Sequence, residues 1–334
     1  MIRQIVSTAH PAMSHLVACP REKPYHDRFR NLVGEPSMVS IPSRRFRWQS
    51  QLAIEDLIRS AGVTVIHSHG FGAGLYGRLA SARTGRPCVH TFHGMMPGGA
   101  AGLVRQLCEA ALAPWTAAAV AVSESEAVLA RRLGPLSRRL RVIPNGVEFP
   151  AEREESSAWL RVLSVGRLER QKDPLALLDI AVKVRDDRIC RFRVVGGGPL
   201  AQAMRRSVNG LKLGRVELLG TLGSCQDEYR NADVFLSTSL WEGLSLALLE
   251  AMSAGLAPVV TRVAGNLDVV EEGVTGFLFE PGDHDRAAAL LRMMANSPDV
   301  RQRVGDAARR SVRRRFAVAD TVRSYQALYL EACA

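Results

Sequence analysis

From about residue 60 onward the sequence repeats one alternation: a short β-branched, apolar run, then a longer stretch of helical periodicity. That order dictates parallel βαβ units, because two parallel neighbours need a crossover long enough to hold a helix. In the first half the strands fall at Thr64–His67, Cys88–Phe92, Ala119–Val122 and Leu140–Ile143, with weaker runs at His15–Ala18 and Met38–Ile41. In the second half they fall at Arg161–Val165, Phe192–Val195, Arg215–Leu219, Val234–Ser237, Pro258–Thr261 and Gly276–Phe279. The acidic, apolar-poor stretch Pro150–Ser157 between the halves reads as a linker. The expected fold class is α/β, with one doubly wound domain over 1–150 and a second over 158–334. An Arg-rich helical tail from about Asp299 to Ala334 closes the second.

Composition narrows the function classes. Hydrophobic residues make up 47% and charged residues 23%, which suits two ordinary globular cores. There is no run of about 18 uncharged apolar residues, and the opening residues carry no basic-then-apolar signal pattern. The six cysteines are widely spaced with no C-x-x-C pair, so they read as reduced thiols and not as a disulfide or zinc framework. These features predict a cytoplasmic protein. The net charge of +11 is lopsided: residues 1–150 hold 18 Lys+Arg against 9 Asp+Glu. A solvated arginine-rich surface explains that, and so does an anionic partner. Arg44, Arg45 and Arg47, like Arg138, Arg139 and Arg141, match no nucleic-acid motif, so nucleic acid is not expected. Peripheral contact with an anionic membrane at its inner face, or a lipid-phosphate acceptor, fits the charge as well.

Two segments of the second half carry chemistry. In Val165-Gly166-Arg167-Leu168-Glu169-Arg170-Gln171-Lys172, a strand ends at a glycine and two cations five residues apart sit in the following loop. Open α/β sheets bind ligands outside the carboxyl ends of their strands. Arg167 as a two-pronged contact and Lys172 as a point charge suit a diphosphate there, at roughly 1.5–3 kcal/mol per charge-assisted bond. Alone, the segment is equally an ordinary surface loop. In Trp241-Glu242-Gly243-Leu244-Ser245-Leu246, followed by Ala247 to Met252, Glu242 lies in a strand-to-helix loop. Gly243 permits close backbone approach, and the next amides open a helix whose positive end suits phosphate. That helix is apolar nearly all round, so Glu250 within it needs a partner, either ligand hydroxyls or its own neighbourhood.

Glu242 and Glu250, with seven residues between them, resemble the E-x7-E motif of the retaining GT-B glycosyltransferases of family 4. The supporting segments occur in that family's order: His67-Ser68-His69-Gly70, Thr91-Phe92-His93-Gly94, Val122 to Ser125, Val142 to Val147, Val165 to Arg167, Val195 to Leu200 and Val274 to Leu278. The similarity covers roughly residues 60 to 290. It implies a GT-B fold, two Rossmann-like domains facing across a cleft. It further implies transfer from a nucleotide diphosphate sugar, a UDP-sugar by preference, to a hydroxyl on a glycan, lipid-linked or small-molecule acceptor. The anomeric configuration would be retained, with no metal and no cofactor. By the same resemblance Arg167 and Lys172 hold the donor diphosphate, with help from the amides of Gly243, Leu244, Ser245 and Leu246. Glu242 binds the transferred sugar, Glu250 the ribose, and His93 matches the active-site histidine near sugar and acceptor. His69 also ends a strand before a glycine and is a candidate on the same edge, whereas His67 reads as a core histidine. The rival implied by the same fold is a non-catalytic subunit that binds a partner enzyme or glycan.

Two further motifs are weaker. Gly196-Gly197-Gly198-Pro199-Leu200-Ala201 after a strand loosely fits a dinucleotide fingerprint, and also a tight strand-to-helix connection. Asp283-His284-Asp285 spells the D-x-D of metal-dependent transferases, but follows Pro281-Gly282 where Asp is a routine N-cap. Family members open with a strand and a Gly-Gly loop, and no such segment is visible here. Met1 to Met13 reads as the end of a first helix, or Ile2–Ser7 as a short substitute strand. The first domain is expected to have one parallel strand fewer than the family norm, or a weakly packed substitute.

Overall fold

The computed structural model describes residues 2–7, 13–21, 25–42, 45–94, 99–132, 134–149, 159–185 and 190–334. The linker expected at Pro150–Ser157 lies outside them. The chain divides into two compact units, Met1–Asn145 with Val318–Ala334, and Gly146–Ala317.

In the first unit the order is α1 (Ile2–Ser7), β1 (Val17–Cys19), α2 (Tyr25–Val33), β2 (Met38–Ser40), α3 (Trp48–Ser60), β3 (Ile66–His69), α4 (Gly70–Thr84), β4 (Cys88–Thr91), α5 (Gly99–Ala111), β5 (Ala118–Ala121), α6 (Glu124–Arg131) and β6 (Leu140–Val142). All pairings are parallel, as the alternation requires, but the strands form two sheets, β1-β2 and β3-β4-β5-β6. Ile2–Ser7 is a helix, so the reading of that segment as a substitute strand is corrected. Among the described residues no strand joins the two sheets. Strands β4 and β5 are buried throughout, the pattern of strands covered on both faces.

The second unit runs β7 (Leu160–Val165), α7 (Pro174–Lys183), β8 (Cys190–Val195), α8 (Ala201–Gly210), β9 (Val216–Gly220), α9 (Gln226–Arg230), β10 (Val234–Ser237), α10 (Leu246–Ser253), β11 (Ala257–Thr261), α11 (Ala264–Leu267), β12 (Phe277–Phe279), α12 (His284–Asn296) and α13 (Pro298–Arg315). Its parallel sheet has the order β12-β11-β10-β7-β8-β9. The order reverses direction between β7 and β10, the switch point at which such sheets bind ligands. Val162, Val194, Leu236 and Val259 on the strands meet Leu177, Ile180, Met204 and Leu291 on the helices in one core.

The final helix, α14 (Val318–Cys333), belongs to the first unit and not, as expected, to the second. Its Tyr325 and Leu328 pack with Val89 and Val120 of the four-stranded sheet and with Ile143 just beyond its last strand. The apolar pattern of the tail says that it is buried; it does not say against which sheet.

Candidate donor and acceptor sites

In the second unit the two motif loops leave adjacent strands, β7 and β10, on the same edge of the sheet. They are stitched together. Thr238 donates to the carbonyls of Lys172 and Asp173 at 2.9 and 2.8 Å, and the Leu240 amide donates to the Gln171 carbonyl at 2.8 Å. Lys172 Nζ is thereby held against Glu242 Oε1. Ser239 Oγ donates to the same carboxylate oxygen at 2.7 Å, so the nearly buried Glu242 has two partners. Ser245 caps α10 by accepting from the Leu248 amide. That leaves the region of Leu244, Ser245 and Leu246 as the start of a helix directly after Glu242 and Gly243.

The remaining predicted residues have other partners. Arg167 is 63% exposed, and its ion pair among the described residues is with Glu169, at 3.4 Å. Glu250 Oε2 accepts from the Tyr229 hydroxyl of α9 at 2.9 Å, and burial pushes the Glu250 carboxyl above its usual pKa. The structure thus brings Lys172 and Glu242 into contact, while Arg167 and Glu250 each contact a different neighbour. Tyr229 and Thr238 were not legible as site residues, because each acts through a contact distant in sequence, and Ser239, three residues before Glu242, belongs to no recognised motif.

Glycines explain how the loops come so close. A Cβ on Gly196 would lie 1.8 Å from the Gly166 carbonyl oxygen, at φ +147°. The Gly-rich segment 196–198 therefore exists to let the Arg167 loop pack on it, and the amide of Leu168 donates to the Gly197 carbonyl at 2.9 Å. Close approach at Gly243 is likewise served from the other side: a Cβ on Gly265 would meet the Gly243 carbonyl oxygen at 2.3 Å. Asp283 accepts from the Arg286 amide as an N-cap, and Asp285 pairs with Lys183. Both weaker motifs have structural explanations.

In the first unit β3 and β4 pair so that His67 and His69 stand beside Val89 and Thr91. His69 Nδ1 lies 3.2 Å from His93 Nε2; one ring donates and the other accepts, so at least one is neutral. His93 is an exposed residue, and desolvation by the protein around its ring lowers its pKa to about 4. His69 is also held well below the usual value by burial. His67 is a satisfied core histidine, bonded to Tyr329 at 2.5 Å and Thr91 at 2.8 Å, with burial lowering its pKa to about 3. The His93 loop is fixed by a residue the motifs did not single out. Buried Glu126 accepts from the Gly94 amide at 2.7 Å and from the Val122 amide at 2.9 Å. The signal was present as the capping box Ser123-x-x-Glu126, in which Ser123 caps α6. Among the described residues no group of three or more His, Cys, Asp or Glu is placed to hold a metal ion.

Comparison with known proteins settles the ancestry. Residues 150–311 match the model for glycosyl transferases group 1, and residues 13–149 the model for glycosyltransferase family 4. Over 271 residues the chain is 31% identical to the Escherichia coli UDP-Gal:α-D-GlcNAc-diphosphoundecaprenol α-1,3-galactosyltransferase, covering 73% of this chain and 70% of that enzyme. The chain belongs to glycosyltransferase family 4. It is also 34% identical to sulfoquinovosyl transferase SQD2 of Arabidopsis thaliana, over 44% of this chain and 29% of that protein. The fold is that of HepE from Anabaena, solved with UDP and glucose, at a TM-score of 0.85 and 18% identity over 99% of this chain and 95% of that one. Sucrose-phosphate synthase from Thermosynechococcus elongatus shares it, with a TM-score of 0.75 and 20% identity over 89% and 84% of the two chains. These likenesses establish the GT-B α/β fold of this transferase family. No helix among the described residues is long and apolar enough to cross a membrane.

Proposed function

We propose that the chain transfers a sugar from a UDP-sugar to a hydroxyl acceptor, with retention and without a metal ion. The observation that carries this reading is the pairing of Lys172 with Glu242 at the carboxyl ends of adjacent strands, directly before the start of α10. In the proposal Arg167 and Lys172 grip the donor diphosphate, and the amides of Gly243 to Leu246 add the positive end of a helix. Glu242 orients the hydroxyls of the transferred sugar, and Glu250, held by Tyr229, meets the ribose. Cationic stabilisation of the departing diphosphate supplies the main rate enhancement. His93, fixed by Glu126 and neutral near pH 7, serves the acceptor side with His69 beside it.

A UDP donor is supported by the UDP and UDP-glucose complexes of HepE and by the UDP-Gal donor named for the Escherichia coli relative. The acceptor named for that relative is a diphosphoundecaprenol-linked sugar. A lipid-linked glycan acceptor, met by a cytoplasmic enzyme at an anionic membrane surface, accords with the basic first half of the chain. The test is a panel of UDP-sugars scored for UDP release with and without EDTA, and for the anomeric configuration of the product by NMR. Release that persists in EDTA, with an axial donor giving an axial product, is the expected result. Inversion, or loss in EDTA with rescue by manganese, would contradict it.

A further inference from the structure

A pocket in the first unit lies between the end of β4, the start of α4 and one face of α5, lined among others by Phe71, His93, Arg105, Gln106 and Glu109. Its charged lining residues are Arg105 and Glu109. Glu109 is buried and accepts from Arg78 Nη1 at 2.5 Å, and Arg78 is itself fully buried. That pair is internally neutral. Arg105 is different: among the described residues no carboxylate lies within ion-pair distance of it. Its guanidinium instead lies over the ring of Phe71, 4.9 Å from the centroid. A cation–π contact of this kind holds the guanidinium over the ring while its N–H donors stay able to bond a ligand. A planar cation held over a ring, with no carboxylate in ion-pair distance among the described residues, matches two oxygens of a phosphate.

We propose that this pocket is an acceptor subsite for a phosphate or diphosphate ester, with Arg105 holding the anion so that the acceptor hydroxyl comes beside His93. The proposal rests on the acceptor-side role of His93 given above. A lipid diphosphate and a soluble sugar phosphate present the same group. The outer strip of α5 favours the lipid: Leu103, Val104 and Leu107 are 59%, 60% and 62% exposed at helical spacing, on the helix that carries Arg105.

The experiment is calorimetric titration with the full chain in saturating UDP, so that the donor diphosphate site is filled. The probes are inorganic pyrophosphate and farnesyl diphosphate. Wild-type protein should take up pyrophosphate at one site, and Arg105→Gln should weaken this about tenfold or more, the loss expected of a bidentate charged contact. Arg105→Lys should fall between the two. Unchanged thermal melting midpoints show that both variants are folded. Farnesyl diphosphate binding about tenfold tighter than pyrophosphate, with the excess lost in Leu107→Ser, identifies a lipid acceptor; equal affinities identify a soluble phosphate ester, still through Arg105. No pyrophosphate uptake by UDP-saturated wild-type protein, or equal uptake by Arg105→Gln, overturns the proposal. Failure of wild-type protein to bind UDP at all would instead overturn the donor reading.

Discussion

Replacing Lys172 by Met should destabilise the second unit far more than loss of a surface lysine. The side chains of Lys172 and Glu242 are only 24% and 5% exposed, and without its ammonium partner Glu242 keeps one bond, from Ser239. Breaking a buried pair on one side costs about 3–5 kcal/mol, because the surviving charge is stranded. Partial exposure of Lys172 and the bond from Ser239 reduce this to about 2–3 kcal/mol. For a unit of this size that is a fall of about 5–10 °C in melting midpoint. Glu242→Gln should cost less, about 1 kcal/mol, since Lys172 can turn its ammonium to water. In the double variant no charge is stranded, so it should be more stable than Lys172→Met alone. Thermal melts of the four proteins without ligand test this. A midpoint for Lys172→Met within about 1 °C of wild type, or a double variant as unstable as the sum of the singles, would refute the buried pair.

Gly196→Ala should prevent proper folding of the Arg167 loop, since its Cβ has no space beside the Gly166 carbonyl, whereas Gly210→Ala, with nothing within 4 Å, should be neutral or gain about 0.5–1 kcal/mol. Urea unfolding of both variants decides it. Acid should weaken the first unit before the second. His67, His69 and His93 have folded pKa values below 6.5, so their contribution is complete above that pH and is lost as pH falls toward 4. Glu250 has the opposite sign: its carboxyl is raised, so its contribution is complete below about 4.5 and declines as pH rises through the raised value. Hydrogen exchange at pH 7 and pH 5 should show protection falling more in β3 and β4 than in β7 and β10; equal changes would count against the buried neutral histidines.

The strands were legible because each is an apolar run bounded by turn residues, and those from Cys88 to Phe279 fall within a residue or two of the expected positions. Parallel pairing followed from the helices between them. The assignment of α14 was not legible: a helix with Tyr325, Leu328 and Tyr329 on one face declares a buried face but no address. The same limit applies at the sites. Glu242 and Lys172 were visible as charged residues in strand-to-helix loops, yet their pairing needs β7 and β10 to be neighbours, which only topology supplies. Tyr229 beneath Glu250 and Arg105 over Phe71 are contacts between elements, with no local pattern to announce them.

The central claim is that the Arg167 loop holds a nucleotide diphosphate. Calorimetric titration of UDP into wild type, Arg167→Lys and Arg262→Lys tests it most directly. An ammonium cannot reproduce a planar fork on two phosphate oxygens, so Arg167→Lys should weaken UDP by about tenfold. Arg262 pairs with Glu272 and Glu280 on the surface, and its lysine variant should bind UDP as wild type does. Equal losses at both positions, or none at Arg167, would contradict the assignment.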